Sequence, residues 1–324
     1  MKIIIACILS FAVSAITGKF LVPELRKLKA GQSIREDGPT WHAGKAGTPT
    51  MGGLMFILGI FVSILICGWK GMMAGNFEHL YIFFFALIFG GIGFLDDFEK
   101  VKHKQNLGLT AIQKFLLQLA AAVAFLCLMR FEGMLTPNLY VPFFNTQIVM
   151  SWWVYMVFAA FVIVGTVNAV NITDGVDGLS ASLAVVSIGT FLLAYGEELG
   201  DYSTAAIVFI GALLAYLWSN AKPSSLLMGD AGSRAMGFFL AILALKCGHP
   251  FAFLLAALVF IVDGSLGILK ISFKRFLHIS ILKNTLTPLH DHVRKRMGWS
   301  DEQVVARWLI LQTVASALLL LMTR

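Results

Sequence analysis

Long apolar runs separated by short polar segments dominate the chain. Most are long enough to cross ~30 Å of hydrocarbon as an α-helix. Backbone groups in lipid must be satisfied within a helix or a closed barrel, and no alternating period-two pattern is present. The pattern therefore predicts an all-α, polytopic integral membrane protein with about ten transmembrane helices. These cover about residues 2–23, 52–69, 79–95, 113–130, 150–168, 179–195, 203–219, 234–247, 251–272 and 304–323.

The composition agrees with a membrane protein. Of the 324 residues, 58% are hydrophobic and only 13% are charged, and the mean hydropathy is +0.81. Soluble domains carry about 25% charged residues, so a soluble protein is excluded. No internal repeat and no long linker divides the chain, which predicts one transmembrane domain over residues 1–324.

The basic residues predict the orientation in the membrane. Of the 25 Lys and Arg residues, 20 lie in or beside one set of connecting segments, and the positive-inside rule makes that set cytoplasmic. Because the number of spans is even, both termini lie outside. Two explanations fit the basic face, namely topogenic charge that also attracts anionic lipids and binding of polyanionic ligands.

Two adjacent aspartates, Asp96 and Asp97, end the third apolar run in the stretch GFLDDFEK. If the helix continues through both, their side chains point about 100° apart and cannot easily hold one ion together. We therefore expect a metal ion to be shared with Asp230 from another segment. One member of the pair, by preference Asp97, would face a phosphate, and the other would hold a Lys or the metal.

The segment NAVNITDGVDGLS has polar residues at every third position. Three-residue spacing places them on roughly one helical face, and Gly175 permits a break or a close approach by a ligand. Helix capping needs only one or two such residues, so the segment predicts a site for a cation or a sugar. The four polar residues are Asn168, Asn171, Asp174 and Asp177.

In MGDAGS, Asp230 lies beside Gly229 at the start of the eighth run. The backbone N–H groups of such a helix N-terminus bind phosphate readily, and Asp230 would hold a metal ion beside it. Asn220 is a further polar side chain that could contact a ligand here. The loop KAGTPTMGG, with Lys45 and Thr50, is a further candidate for phosphate or sugar contact, although such residues also form ordinary tight loops.

Two histidines, His290 and His292, lie in TPLHDHVRKRMGW. A structural zinc site needs about four ligands, so phosphate contact or acid–base chemistry fits them better. Asp263 is the one acid assigned inside a span. It is a candidate for function because intramembrane carboxylates are costly, unless the ninth helix bends at Gly264 and brings it nearer the cytoplasm.

Together, carboxylates, glycine turns and lysines on one membrane face suggest Mg²⁺ and phosphates. A site that meets both lipid and cytosol suggests phosphoryl transfer to or from a membrane lipid. A cation-coupled transporter is the alternative from another class. Its acids should lie near mid-bilayer and at matching places in two halves, whereas here they crowd one face.

The chain resembles the phospho-N-acetylmuramoyl-pentapeptide-transferases, which form lipid I in the bacterial cell wall. They sit within the wider group of polyprenyl-phosphate N-acetylhexosamine-1-phosphate transferases. The resemblance covers about residues 18–310 and rests on five motifs in the family's order. These are GKAGTPTMGG, GFLDDFEK, NAVNITDGVDGL, MGDAGS and PLHDHVRKRMGWS.

The resemblance implies a homodimer of ten-helix subunits in the bacterial inner membrane. Its substrates would be UDP-N-acetylmuramoyl-pentapeptide and undecaprenyl phosphate, its products lipid I and UMP, and its cofactor Mg²⁺. We expect contact with membrane lipids and no nucleic-acid partner. A related GlcNAc-1-phosphate transferase remains the alternative within the group.

The resemblance also implies roles for individual residues. The catalytic residues would be Asp96, Asp97, Asp230 and His290, and the metal ligands Asp230 and Asp174. Substrate would be bound by Lys45, Thr50, Lys114, Asn168, Asn171, Asp174, Gly175, Asp177, Asn220, Gly229, His290 and His292. Two positions depart from the family pattern: Asp291 replaces the middle histidine of a three-histidine run, and Leu227 replaces a frequent Phe.

Overall fold

The computed structural model describes residues 2–27, 48–102, 108–142 and 144–323. Long helices make up most of this part of the chain, joined by short turns and one hairpin. The helices are α1 (Lys2–Lys27), α2 (Gly53–Met73), α3 (Glu78–Lys102), α4 (Ala111–Phe131), α5 (Trp152–Thr173), α6 (Leu179–Leu199), α7 (Tyr202–Asn220), α8 (Gly229–Lys246), α9 (Phe253–Ala256), α10 (Leu258–Phe276), α11 (Leu289–Met297) and α12 (Asp301–Met322). The all-α membrane fold is confirmed.

The count of ten membrane spans stays a prediction. Among the described residues, eight helices are long and apolar enough to cross a bilayer, and one bent pair raises the number to nine. The predicted span 234–247 belongs to α8, which also contains Asp230 and therefore carries three charges with Arg234 and Lys246. The predicted ninth span is the bent pair, with a 94° bend between Pro250–Ala256 and Leu258–Phe276. The bend lies at Ala257 and not at Gly264.

Contacts group the chain into two compact units. The first contains Met1–Ala121 and Asp201–Ala235, and the second contains Ala122–Gly200 and Met236–Arg324. Helices α4 and α8 each contribute residues to both units.

In the first unit, α1 packs against α7 and α2. The Ser10 hydroxyl donates a hydrogen bond to the Val208 carbonyl at 2.6 Å, and a side chain at Gly211 would overlap the backbone of α1 at Cys7. Close approach at small residues is how helices associate in lipid, where the hydrophobic effect gives little drive. Phe56 of α2 is fully buried in this core.

In the second unit, α5 packs against α10 and α6 against α12. The connection between α4 and α5 contains a two-stranded antiparallel hairpin, β1 (Asn138–Val141) with β2 (Thr146–Val149). Thr190 donates to Ser316 at 2.8 Å between α6 and α12. Ser300 and Gln303 form a capping box at the start of α12.

One side chain satisfies the backbone where α9 breaks from α10. The Gln312 amide nitrogen donates to the carbonyls of Leu255 (3.0 Å) and Ala256 (2.9 Å), and its oxygen accepts from the Val259 N–H at 3.1 Å. Gln312 is fully buried. Breaks in membrane helices are tolerated where a neighbouring helix pairs the released backbone groups, and Gln312 of α12 does this here.

We predict that Gln312→Leu destabilises the protein by about 2 kcal/mol, because three buried backbone groups lose their partner. The measurement is the unfolding midpoint of the full-length protein in detergent. Gln147→Leu, at an exposed position of β2, is the control and should leave the midpoint unchanged. Equal midpoints for the two variants would contradict this account of the break.

Candidate active site

Three carboxylates meet in the first unit. Asp96 and Asp97 lie near the end of α3, Asp230 lies in the first turn of α8, and each offers an oxygen within 4.8 Å of the others. Both neighbouring aspartates therefore reach toward Asp230, although adjacent side chains on a helix point about 100° apart, and a metal ion shared with Asp230 stays a prediction. The angle between neighbours on a helix fixes the Cα–Cβ directions, but the carboxylate oxygens extend beyond them toward a common point.

Glycines of α3 allow the carboxylates to meet. A side chain at Gly93 would overlap the Asp230 carbonyl, and one at Gly90 would lie 2.9 Å from the Ala231 carbonyl oxygen. The backbones of α3 and α8 are thus in direct contact one turn before Asp97. The Asp97 Oδ2 accepts a hydrogen bond from the Asp230 N–H at 3.1 Å, and a carboxylate is favoured at a helix N-terminus.

The loop before α2 is fastened to the loop before α8 by backbone hydrogen bonds. Leu227 N–H donates to the Pro49 carbonyl at 2.8 Å, and the Gly52 N–H donates to the Leu227 carbonyl at 2.8 Å. A Cβ at Gly229, whose φ is +73°, would lie 2.8 Å from the Thr50 hydroxyl and 3.4 Å from Asp97 Oδ2. Thr50 and Gly229 therefore border the carboxylates, while Lys45 lies outside the described residues.

Two cations accompany the three carboxylates. The Lys114 ammonium lies 2.8 Å from Asp96 Oδ2, and Asp96 Oδ1 accepts from the Leu109 N–H at 2.8 Å. Arg234, one turn along α8, lies 2.9 Å from Asp230 Oδ2. Asp96 is 0% exposed, so the paired charges offset the desolvation of its carboxylate.

The donor set fits a hard divalent cation. The three carboxylates and two cations together carry one net negative charge. The atoms that could bind a metal ion are all carboxylate oxygens. Mg²⁺ is commonly bound by one or two carboxylates together with water and substrate phosphates. Asp97 and Asp230 are only partly buried, which leaves them accessible to such ligands, whereas Asp96 is enclosed.

Asn220 has a structural contact. Its side-chain nitrogen donates to the Leu226 carbonyl at 2.9 Å and is buried. It thereby fixes the turn after α7 that leads to Gly229 and Asp230. This contact gives Asn220 a structural role, and its direct contact with substrate stays a prediction.

The polar segment of the second unit is not one continuous helix. Helix α5 ends at Thr173, a turn follows, and α6 begins at Leu179 after Gly178, whose φ of +79° cannot continue a right-handed helix. Asn168 and Asn171 therefore lie on α5, while Asp174, Gly175 and Asp177 lie in the turn. The Asn168 side chain donates to the Val164 carbonyl of its own helix at 2.8 Å. A break of the kind that Gly175 permits is thus present, and the four polar residues do not share one continuous helical face.

The same unit contains a buried aspartate–histidine pair. Asp263 Oδ2 lies 2.7 Å from His290 Nδ1, and Asp263 Oδ1 accepts from the His290 backbone N–H at 2.7 Å. The two residues are 1% and 3% exposed. A side chain at Gly175 would overlap His290 Nε2, so the ring reaches the turn that holds Asp174 and Asp177. His292 is separate and accepts at Nδ1 from the Leu286 N–H at 3.1 Å.

Two contacts, one in each unit, were not predicted from the sequence. One is the contact of Arg234 with Asp230, and the other is the contact of Asp263 with His290. A signal was present in both cases, because each residue is a charged group within a predicted apolar run. The sequence does not indicate which partner each would find.

The chain is similar to a known class of glycosyl transferases. Residues 79–248 match the model of glycosyl transferase family 4. Residues 45–57 match signature 1 of phospho-N-acetylmuramoyl-pentapeptide-transferase; they include the loop that pairs with Leu227.

Similar proteins of that name are found in several bacteria. One from Latilactobacillus sakei is 36% identical over 314 residues, covering 96% of this chain and 95% of its own. One from Caldanaerobacter subterraneus is 38% identical and covers 95% of both chains. One from Bacillus licheniformis is 36% identical and covers 94% of this chain and 92% of its own. The chain belongs to the phospho-N-acetylmuramoyl-pentapeptide-transferase family.

We predict that Lys114→Met destabilises the protein by about 2 kcal/mol, because it leaves the Asp96 carboxylate buried without its cation. Adding Asp96→Asn should recover at least half of this loss, since the unpaired charge is then gone. The measurement is the unfolding midpoint of the single and double variants.

Lys27→Met is the matched control. It removes an ion pair with Glu24 at 2.6 Å whose side chains are largely exposed, and exposed pairs contribute little. If Lys27→Met lowered the unfolding midpoint as much as Lys114→Met, the buried pair would contribute no more to stability than an exposed one.

Proposed function

We propose that this protein transfers phospho-N-acetylmuramoyl-pentapeptide from UDP-N-acetylmuramoyl-pentapeptide to undecaprenyl phosphate. The products are lipid I and UMP, and the reaction belongs to peptidoglycan biosynthesis. The observation that carries the proposal is the three-carboxylate cluster in a chain that matches transferases of this name over almost its whole length.

The cofactor we propose is Mg²⁺, held by Asp230 together with Asp97 or Asp96. When bound, the ion would neutralise pyrophosphate charge and stabilise the leaving UMP. Asp174, the second metal ligand expected from the sequence, belongs to the other unit, and its assignment rests on the family resemblance.

Within the pair, burial supports Asp97 as the residue that meets substrate. Asp96 is enclosed and holds Lys114 and the Leu109 N–H, so it positions the end of α3. Asp97 is partly exposed and aligned by the Asp230 N–H. We propose that an Asp97 oxygen takes the proton of the lipid phosphate or orients that group.

The lipid phosphate oxygen then forms a bond to the sugar-linked phosphorus, and the bond from that phosphorus to UMP breaks. A two-step route, in which Asp97 itself is phosphorylated, is the rival. Incubating the enzyme with the UDP-sugar but without lipid phosphate separates the two. A phosphosugar covalently trapped on Asp97 would exclude the one-step route.

We propose that Lys45, Thr50 and Gly229 bind substrate, as the family resemblance implies. The resemblance implies the same role for His290, His292, Asn168, Asn171, Gly175 and Asp177. The multi-pass chain would lie in the bacterial inner membrane as a homodimer, in contact with membrane lipids. Both termini would be extracytoplasmic and the site cytoplasmic, as the distribution of Lys and Arg supports.

The activity is tested by radiolabel passing from UDP-N-acetylmuramoyl-pentapeptide into an organic-extractable lipid. We predict that transfer needs undecaprenyl phosphate and Mg²⁺ and stops when EDTA removes the metal. Asp97→Asn and Asp230→Asn should each lower kcat by about 10³-fold. Asp201→Asn, which changes an aspartate bonded to Asn76 instead, should stay within twofold of the unchanged protein.

The same assay with UDP-GlcNAc addresses the alternative within the group. Label transfer from UDP-GlcNAc but not from the muramoyl-pentapeptide donor would favour a GlcNAc-1-phosphate transferase. Full activity of both the Asp96→Asn and Asp97→Asn variants would show that the carboxylate cluster is not the active site.

A further inference from the structure

We propose that Asp263 is a positioning residue that fixes the tautomer of His290, so that the His290 Nε2 is a proton acceptor. His292 is held in the opposite tautomer, with its Nε2 as a donor. The inference rests on the proposed function for its kinetic part, whereas the tautomers are a property of the protein alone.

The carboxylate of Asp263 fixes both the ring and the backbone of His290. Its two oxygens contact the His290 backbone N–H and the ring Nδ1, each at 2.7 Å. The Trp308 indole N–H also points at Oδ1, at 3.4 Å. An ionised carboxylate can only accept hydrogen bonds, so the hydrogen of the neutral imidazole lies on Nδ1 and the lone pair on Nε2.

The burial of the pair makes this arrangement specific. With Asp263 1% and His290 3% exposed, water cannot easily replace either partner. An unpaired carboxylate at this depth would be costly, so the pair opposes rotation of the ring. The lone pair on Nε2 is therefore directed at the turn beside Gly175, where the sequence concentrates Asp174 and Asp177.

His292 is set in the opposite way. Its Nδ1 accepts the Leu286 backbone N–H at 3.1 Å, which requires a lone pair at Nδ1 and places the hydrogen of the neutral ring on Nε2. Residues two apart on a helix do not share a face, so the two rings serve different partners. His292 offers an N–H donor suited to a phosphate oxygen, and His290 offers an acceptor suited to a hydroxyl, water or ammonium proton.

A purely structural role for Asp263 makes a different prediction. If Asp263 only fills space and pairs a backbone N–H, its replacement by Asn would lower stability without changing the imidazole. If Asp263 sets the tautomer, Asn removes the preference, because its amide can donate to Nδ1 as well as accept from it. Glu retains the carboxylate and should retain the Nδ1–H form.

The test uses the full chain in lipid nanodiscs with ¹⁵N-labelled histidine. Nitrogen chemical shifts report which ring nitrogen carries the hydrogen, and His290→Gln and His292→Gln assign the two signals. We expect Nδ1–H for His290 and Nε2–H for His292 in the unchanged protein. Asp263→Asn should move His290 toward Nε2–H, and Asp263→Glu should not.

Kinetics give the second measurement. Asp263→Asn should lower kcat about a hundredfold with KM within threefold, and Asp263→Glu should restore at least a tenth of the original kcat. A wrong tautomer removes the proton-transfer role of the imidazole without removing its place in the site.

Asp301→Asn is the matched control. It changes another largely buried aspartate of the second unit, which contacts Arg294 Nε at 2.6 Å rather than an imidazole. We expect the His290 signal to be unchanged in this variant. A shift of the same size would show that the signal reports general loosening, and would overturn the proposal.

Two other outcomes also overturn it: Nε2–H at His290 in the unchanged protein, or Nδ1–H with full kcat in Asp263→Asn. If Asp263→Asn does not fold, the spectra of the unchanged protein and of Asp263→Glu still decide. If the unchanged protein transfers no label to lipid, the proposed function fails, while the spectra test the tautomers independently.

Discussion

The close approach of α3 to the first turn of α8 underlies the arrangement of the first unit. Gly93 and Gly90 permit backbone contact that any side chain at Gly93 would prevent. On the other side of the same turn, a side chain at Gly53 of α2 would overlap Gly232. The start of α8 is thus enclosed by glycine surfaces, and this enclosure places Asp97 against the Asp230 N–H. Without this close packing, the aspartates of α3 and α8, which are far apart in the sequence, would not lie side by side.

Three carboxylates close together repel one another, and neighbouring groups of the same unit offset this repulsion. Asp96 is buried with Lys114, Asp230 is paired with Arg234, and Asp97 receives a backbone N–H at a helix N-terminus. Each carboxylate has a different partner, so the three differ in accessibility although they lie within 4.8 Å. The enclosed member supports the fold, and the two partly exposed members remain able to meet a ligand.

Much of the fold could be predicted from hydropathy, because a membrane helix must satisfy its backbone internally wherever the apolar run is long enough. Helices α5, α6 and α7 lie within a few residues of their predicted spans. The break at Ala257 was not predictable, since it depends on Gln312 from a helix far along the sequence. The turn after Thr173 lies between two predicted spans, but three-residue spacing alone does not show that Asp174 and Asp177 leave the helix that carries Asn168 and Asn171.

The candidate site, like the fold, could be predicted from the sequence only in part. The motifs indicated Asp96, Asp97, Asp230 and Thr50 as members of a site, and the structure brings these four together. The sequence could not show that Asp263 would meet His290, because pairing between α10 and α11 is decided by packing. Intramembrane carboxylates are costly, so the presence of one predicts that a partner exists but not which one.

Polar groups buried in the second unit both stabilise the fold and orient side chains that are candidates for catalysis. Gln312 pairs the backbone released at the α9–α10 break, and six residues along α10 from that break Asp263 gathers donors from His290 and Trp308. In an apolar surrounding, each such group must be satisfied, and the partner that satisfies it also fixes its orientation. The hydrogen bonds from Gln312 to the backbone at the break therefore also help to position α10 so that the Asp263 carboxylate contacts the His290 imidazole. A change that relaxes the break would reach the histidine through the same helix, without touching either ring nitrogen.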